Sequence, residues 1–275
     1  HEDMDKIKSE ILRFDGAIIC DITGQTRNDI IKYCFENSKR IYISPKISDI
    51  IIRGGTDINL FDSPLLLCRN SGLSFEQRLF KRIFDIVVSV IGLIILSPFM
   101  LIIAAAIKID DGGSIIYKQK RLTINGKEFF VYKFRSMIPN AEKNGVPQLA
   151  TGSDSRITRV GKFLRKCRLD ELPQLFNIIK GDMSVVGPRP ERPELTEKYE
   201  REMPEFKFRL KVKAGLTGYA QVTGVYDTTP YDKLKMDLMY IERYSMVMDL
   251  RIILMTIKTM ISPGEMNSEA DKEKY

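Results

Sequence analysis

The chain has 275 residues, of which 44% are apolar and 29% charged, enough for one large or two ordinary domains with a real core. Its only histidine is His1, which excludes histidine triads, metal sites and general bases; Cys20, Cys34, Cys68 and Cys167 form no C-x-x-C pair, suggest neither zinc nor a disulfide framework, and fit a reducing cytoplasm. The net charge of +7 belongs to one segment: over residues 118–168 thirteen Lys or Arg face three acids, leaving the remainder at −3, so this block suits an anionic membrane, a phosphorylated substrate, nucleic acid or plain solvent.

The chain opens on His1 without a signal-peptide pattern and reads as a piece of a longer protein. Residues 17–20, 30–35 and 40–43 predict a β-α-β unit, with a turn of helix at 50–52 and another strand at 65–68. No G-x-G-x-x-G follows the first strand, so residues 1–70 predict a partial Rossmann-like module without dinucleotide binding, its sheet completed elsewhere.

Ser74-Phe75-Glu76-Gln77 has capping-box spacing, and Phe75, Leu79, Phe80, Ile83 and Phe84 recur at helical spacing. Residues 86–107 then run for twenty-two positions without a formal charge, long enough to span the ~30 Å hydrocarbon core. Lys81 and Arg82 before the run and Lys108 after it favour the same, cytoplasmic side. At mid-run Pro98 removes a helical hydrogen bond, and the Ser97 hydroxyl can satisfy the freed carbonyl. A broken, re-entrant helix over 71–110 is the expectation, with a Pro-kinked spanning helix as the competing reading.

Downstream, residues 114–117 and 129–132 flank Asn125-Gly126 and predict a hairpin. Residues 138–155 read as a polar loop, 157–167 as a short basic helix, 189–199 as a charged helix, 231–261 as one or two amphipathic helices, and 263–275 as a polar tail. Between them stands Leu169-Asp170-Glu171-Leu172-Pro173-Gln174. Pro173 lacks an N–H and is tolerated only in a first turn, which predicts Asp170 as N-cap, Glu171 as the first helical residue and Gly181 as the left-handed stop. Two readings are open here: a pair that merely caps a helix and complements its dipole, or two carboxylates presented for chemistry beside a basic block.

From residue 81 to 261 the ordered blocks resemble the bacterial sugar transferase family, the monotopic phosphoglycosyl transferases. They are Lys81-Arg82-Ile83-Phe84-Asp85, Ser97-Pro98, Tyr132-Lys133-Phe134-Arg135-Ser136-Met137, Arg156-Ile157-Thr158-Arg159-Val160-Gly161, the Asp170-Glu171 block, Gly181 through Pro190, and Gly215-Leu216-Thr217-Gly218-Tyr219-Ala220-Gln221. The sequence departs from the family pattern at Thr123, where Gly is common, at Ala214, where Pro is usual, at Tyr219, often Trp, and at Asp110-Asp111-Gly112-Gly113. The resemblance implies an α+β fold: a membrane-embedded re-entrant helix over 71–110 and a small helical and β-hairpin catalytic domain over 111–262, behind the module of 1–70. It also implies upstream transmembrane helices that this chain lacks.

By the same resemblance, the activity moves a sugar-1-phosphate from a UDP-sugar to undecaprenyl phosphate with Mg2+, on the cytoplasmic face of the bacterial inner membrane, for exopolysaccharide, capsule or other surface glycan synthesis. Asp170 is the implied nucleophile, forming a covalent aspartyl intermediate, and Glu171 the neighbouring acid/base and metal-supporting carboxylate. Arg165, Lys133 and Arg135 are implied phosphate contacts, interfacial lipid being their competing reading. Pro188, Arg189 and Pro190 resemble the nucleotide-side motif, against a rigid turn. Gln174 and Asp237 match family blocks, an internal salt bridge being the alternative for Asp237. Anionic lipids are implied partners, a homodimer is allowed, and nucleic acid is disfavoured because the basic block adjoins an apolar segment rather than a recognition motif. A membrane-bound inverting glycosyltransferase and a non-catalytic polyprenyl-phosphate-binding scaffold are the rival functions.

Overall fold

The computed structural model describes residues 2–68, 72–138, 154, 156–224 and 228–261, and the chain divides into two compact units, His1–Ile52 and Arg53–Tyr275. The polar loop expected over 138–155, apart from Ile138 and Asp154, and the polar tail lie outside the described residues.

In the first unit, α1 (Glu2–Leu12) precedes β1 (Gly16–Ile19), α2 (Gly24–Glu36), β2 (Arg40–Ile43) and α3 (Ile47–Arg53). β1 and β2 pair in parallel, Gly16 opposite Arg40 through Ile19 opposite Ile43, which is the expected β-α-β unit. Ile11, Ile19, Ile30 and Cys34 form its core, and Arg27 donates two hydrogen bonds to Asp49 at 2.5 and 2.9 Å. α1 was not legible in the sequence pattern.

The second unit opens with an antiparallel hairpin of β3 (Thr56–Leu60) and β4 (Ser63–Leu67), exposed along both strands. The strand predicted at 65–68 is thus real, but its partner is the adjacent β3 rather than the parallel pair. A two-residue turn brings β3 beside it more readily than a long crossover does.

α4 (Phe75–Asp111) begins with the predicted capping box: Ser74 Oγ accepts from the Gln77 N–H at 3.2 Å, and the Ser74 N–H donates to Gln77 Oε1 at 2.8 Å. It ends at Gly112, left-handed at φ 70°. Its 37 residues make it long and apolar enough to cross a membrane. The break expected at Ser97-Pro98 is not there, and α4 stays helical through both residues. Pro98 deprives the Ile94 carbonyl of its N–H donor, and Ser97 Oγ donates to that carbonyl at 3.0 Å, so the lost bond is replaced within the turn.

Both ends of α4 pack on the same body. Near its start, Arg82 donates to the carbonyls of Ile178 and Ile179 at 2.6 and 2.7 Å, while Asp85 accepts from Ser184 Oγ at 3.0 Å and the Val185 N–H at 2.9 Å. Near its end, Ile103 and Ile107 share a core with Phe134 and Leu164. Between these contacts Ile91, Ile94, Ile95, Phe99, Leu101 and Ile102 are exposed.

The predicted hairpin follows as β5 (Ile116–Leu122) and β6 (Glu128–Phe134), antiparallel, with Asn125 and Gly126 at φ 58° and 72° in its turn. Then come α5 (Arg159–Lys166), a 3-10 turn Leu169–Glu171, α6 (Gln174–Lys180), β7 (Ser184–Val186), α7 (Pro193–Glu202), a 3-10 stretch Pro204–Lys211, β8 (Gly215–Thr217), α8 (Tyr219–Thr223), α9 (Pro230–Glu242) and α10 (Met246–Ile261). β7 and β8 pair in parallel, Ser184 opposite Gly215 and Val186 opposite Thr217. Two departures from the family pattern meet beside this pair. The Thr123 hydroxyl donates to the Asp182 carbonyl at 2.8 Å and accepts from the Ala214 N–H at 3.2 Å, a bond that neither a glycine at 123 nor a proline at 214 could make.

Candidate active site

The basic helix α5 ends at Lys166, and the chain turns through Arg168, left-handed at φ 54°, into the 3-10 turn that carries Asp170 and Glu171. Asp170 therefore does not cap α6, and Glu171 is not its first residue. Pro173, at φ −62° and ψ −13°, holds the cap position, and α6 starts at Gln174. Proline's missing N–H is harmless at a helix cap as well as in a first turn, and the sequence rule does not separate the two. Gly181 ends α6 at φ 97°, as predicted.

The turn lies at a cavity of about 360 Å³ lined by Lys133, Arg165, Arg168, Asp170, Glu171, Arg189 and Gln221. β6 supplies Lys133, the last turn of α5 supplies Arg165, and the segment after β7 supplies Arg189. Glu171 Oε1 accepts from Lys133 Nζ at 2.7 Å and from Arg189 Nη2 at 3.0 Å. Arg165 Nε donates to Ser136 Oγ at 3.0 Å, which leaves its terminal nitrogens directed elsewhere than the serine.

The two adjacent carboxylates have opposite electrostatics. Burial pushes Glu171 up, but Arg189 and Lys133 outweigh it and hold the group at about 2. Asp170 is 9% exposed and makes no ion pair among the described residues; burial raises it above the usual aspartate value, Lys133 and Arg165 pull the other way, and the Glu171 charge adds to the rise. Burial lowers the Lys133 ammonium, with Glu171 opposing. Neighbouring acids pushed apart in this way can take different chemical roles.

Of the other predicted residues, Arg135 is not brought to the cavity. It is buried and paired with Asp111, one of the departures from the family pattern, and its guanidinium lies where a side chain on Gly113 would stand. Pro188 borders a separate cavity of about 10 Å³, and the Pro190 carbonyl accepts from Arg121 Nη1 at 3.1 Å, so both shape the loop that holds Arg189. Gln174 is buried at the start of α6, outside the cavity lining. Asp237 is buried and pairs with Arg209 at 2.8 Å, the internal salt bridge of the alternative reading. Arg209 Nη2 also donates to the Arg189 carbonyl at 3.0 Å, so Asp237 supports Arg189 at one remove.

Three contributors escaped the sequence reading: Arg168, Arg209 and Gln221. Arg168 lay inside the motif that was read. Gln221 closes the Gly215–Gln221 block, whose glycines were the available signal. A Cβ on Gly215 would come within 2.1 Å of the Gly187 nitrogen, so these glycines let β8 press against the Arg189 loop.

Among the described residues no group of three or more His, Cys, Asp or Glu side chains is arranged to hold a metal. Magnesium ordinarily needs only one or two carboxylates, with phosphate and water completing its shell. Asp170 and Glu171 side by side on the lining of one cavity fit that donor set, the Asp170 carboxylate being the one not engaged in an ion pair.

The family model described as bacterial sugar transferase matches residues 76–263. A UDP-N-acetylgalactosamine-undecaprenyl-phosphate N-acetylgalactosaminephosphotransferase of Aeromonas hydrophila is 42% identical over 185 residues, covering 66% of this chain and 44% of that protein. A UDP-glucose:undecaprenyl-phosphate glucose-1-phosphate transferase of Klebsiella pneumoniae is 43% identical over 211 residues, 75% of this chain and 43% of that one. The exopolysaccharide production protein PSS of Rhizobium leguminosarum bv. phaseoli is 40% identical over 194 residues, 67% of this chain and 96% of its own length. The chain thus spans less than half the length of the first two curated relatives and nearly all of the third.

Proposed function

The chain belongs to the bacterial sugar transferase family, and from that premise we propose that it transfers a sugar-1-phosphate from a UDP-sugar to undecaprenyl phosphate, on the cytoplasmic face of the bacterial inner membrane, for surface glycan synthesis. The observation that carries the reading is Asp170: a buried carboxylate without an ion pair among the described residues, on a cavity whose other acid, Glu171, is already clamped by Lys133 and Arg189.

In this reading an Asp170 oxygen attacks the β-phosphorus of the UDP-sugar. The bond from that phosphorus to the bridging oxygen breaks, uridine monophosphate leaves with the bridging oxygen, and the sugar phosphate is held on Asp170 as an acyl phosphate. An oxygen of undecaprenyl phosphate then attacks the same phosphorus and frees the carboxylate. Arg165 and Lys133 hold phosphoryl oxygens and offset the charge that builds on them. Arg189, tied to Glu171 and braced by Arg209, serves the nucleotide side. Held at about 2, Glu171 stays ionised near neutral pH and acts as an anchor for Lys133 and Arg189 rather than as a proton carrier. Magnesium bound by Asp170 and Glu171 would supply further neutralisation of the diphosphate.

The test measures nucleotide release with a panel of UDP-sugars, undecaprenyl phosphate and magnesium, with Asp170→Asn as the blank. Uridine monophosphate released by the wild type alone supports the reading. Uridine diphosphate release favours an inverting glycosyltransferase, and binding without turnover favours a scaffold.

We also propose that α4 enters and leaves the membrane on one side. A straight helix of 37 residues is roughly 55 Å long, far more than a ~30 Å core requires, yet both its ends pack on the same body while the apolar middle is exposed. In this reading the helix, continuous through Pro98 in this structure, would bend there on entering a bilayer. Cysteines introduced at Arg78 and Ile109, in a background without native cysteines, are expected to react with an impermeant reagent from the same side. Labelling from opposite sides would establish a spanning helix.

A further inference from the structure

Gln221 is the one neutral side chain on a cavity lining otherwise built from Lys133, Arg165, Arg168, Asp170, Glu171 and Arg189. Both of its amide atoms, Oε1 and Nε2, are sealed from solvent without a hydrogen-bond partner, and it is the only side chain among the described residues with two orphaned polar atoms. Buried amides are ordinarily paired, because leaving either end unmade is costly. The backbone explains why the amide is held there. Gly218, the residue before α8, presses so closely on the exit of β7 that a Cβ on it would come 2.2 Å from the Gly187 carbonyl oxygen and 3.4 Å from Gln221 Oε1. β7 and β8 run parallel, so Arg189 and Gln221 leave the pair at the same end, the end at which parallel strands commonly present ligand-binding loops.

The chemistry of the amide narrows what it meets. A phosphate oxygen would satisfy Nε2 but turn an anion toward Oε1, and the four cationic side chains of the lining, Lys133, Arg165, Arg168 and Arg189, already answer phosphate better. A group that both donates and accepts satisfies both ends together. We propose that Gln221 is a specificity-determining contact to the donor nucleotide-sugar, pairing with a neutral donor-and-acceptor group: a sugar hydroxyl or the edge of the uracil ring. The inference rests on the reading of this cavity as a UDP-sugar site.

The test uses the full chain with Gln221→Ala and Gln221→Glu, the second nearly isosteric but unable to donate while ionised. The KM for the UDP-sugar, from uridine monophosphate release, is expected to rise about three- to tenfold in Gln221→Ala, the worth of one or two net hydrogen bonds, with kcat within about twofold. It should rise further in Gln221→Glu, where a carboxylate would face the diphosphate. The Tm of Gln221→Ala should hold or increase, since an orphaned amide has been removed. Calorimetric binding of uridine monophosphate separates the two sources. A parallel loss points to uracil, whereas unchanged binding with a flattened preference among UDP-sugars that differ at one hydroxyl points to the sugar. An unchanged KM in both variants overturns the proposal, as does a KM change accompanied by an equal fall in Tm and kcat. A wild type that binds and turns over no UDP-sugar overturns the reading of the cavity itself, and the inference with it.

Discussion

The second unit holds two kinds of buried polar cluster, and they differ in closure rather than in charge. Beside β7, Lys81 meets Asp249 at 2.6 Å and the Tyr240 hydroxyl donates to the same carboxylate at 2.8 Å, and elsewhere in the unit Arg209 meets Asp237 at 2.8 Å. At the cavity, Glu171 is closed in the same way by Lys133 and Arg189, but Asp170 has no ion pair among the described residues and both amide atoms of Gln221 are without a partner. Burial raises the pKa of Asp170, Asp237 and Asp249 alike, so the direction of a shift does not tell catalytic from structural aspartates here. The partner does. A closed pair fixes the fold, and an open group beside a cavity is available to something that is not protein.

The sharpest way to break this comparison is to neutralise one aspartate of each kind. Asp170→Asn is expected to lower uridine monophosphate release by on the order of 10³-fold or more, at least roughly 4 kcal/mol of transition-state stabilisation. Its stability should hold or rise. An acid whose pKa is raised on folding is disfavoured as the anion above that pKa, so at neutral pH the neutral amide removes a penalty. Asp237→Ala should do the reverse. It leaves the buried Arg209 guanidinium with only the longer ion pair to Glu191 at 3.7 Å, at a cost of about 3 kcal/mol in denaturant unfolding, and lowers activity only through Arg189. Comparable stability losses in the two variants would erase the distinction between open and closed clusters.

What the sequence made legible was local. The Ser74 capping box, the Asn125-Gly126 turn and the Gly181 stop each depend on residues within a few positions of one another, and each stands where the pattern put it, as do the short elements of the β-α-β unit. Asp170 stands in a different local role from the one expected, because Arg168 is left-handed against its own propensity, with its N–H donating to the Arg165 carbonyl and its carbonyl accepting from the Glu171 N–H, each at 3.2 Å. Arg135 shared a motif with Lys133 yet serves another place. Lys133 stands on β6 and Arg135 just past its end, where Asp111 captures it while Glu171 holds Lys133. Gln221 carries no sequence signal of its own beyond the glycine block, since orphaned burial exists only in three dimensions.

A smaller effect sharpens the view of the open group through pH. Asp170 must be ionised to attack, so kcat/KM should fall as pH drops through its raised pKa, earlier than for an ordinary aspartate. Lys133 must be protonated to hold phosphate, so the alkaline limb should appear below the usual lysine range, where burial has moved it. Lys133→Arg is expected to move the alkaline limb to higher pH and leave the acid limb in place, because arginine does not deprotonate in this range. An alkaline limb that does not move assigns it to another group.

The smallest expected effect concerns a closed contact made by two departures from the family pattern. Thr123→Gly removes both hydrogen bonds of the hydroxyl, to the Asp182 carbonyl and from the Ala214 N–H, and should cost about 1–2 kcal/mol. Ala214→Pro removes the donor alone and leaves the hydroxyl its bond to Asp182, so about 1 kcal/mol is expected. Each single change leaves a buried group unanswered, but together they take away both the N–H and its acceptor and restore the glycine and proline of the family pattern. The double variant should therefore be more stable than the sum of the two losses by roughly 0.5–1 kcal/mol, read as a coupling energy in denaturant unfolding. Strict additivity would mean that the 3.2 Å contact carries no energy. A positive coupling would mean that the Thr123 hydroxyl and the Ala214 N–H close one another at the foot of the β7 and β8 pair, as Lys133 and Arg189 close Glu171 at the cavity.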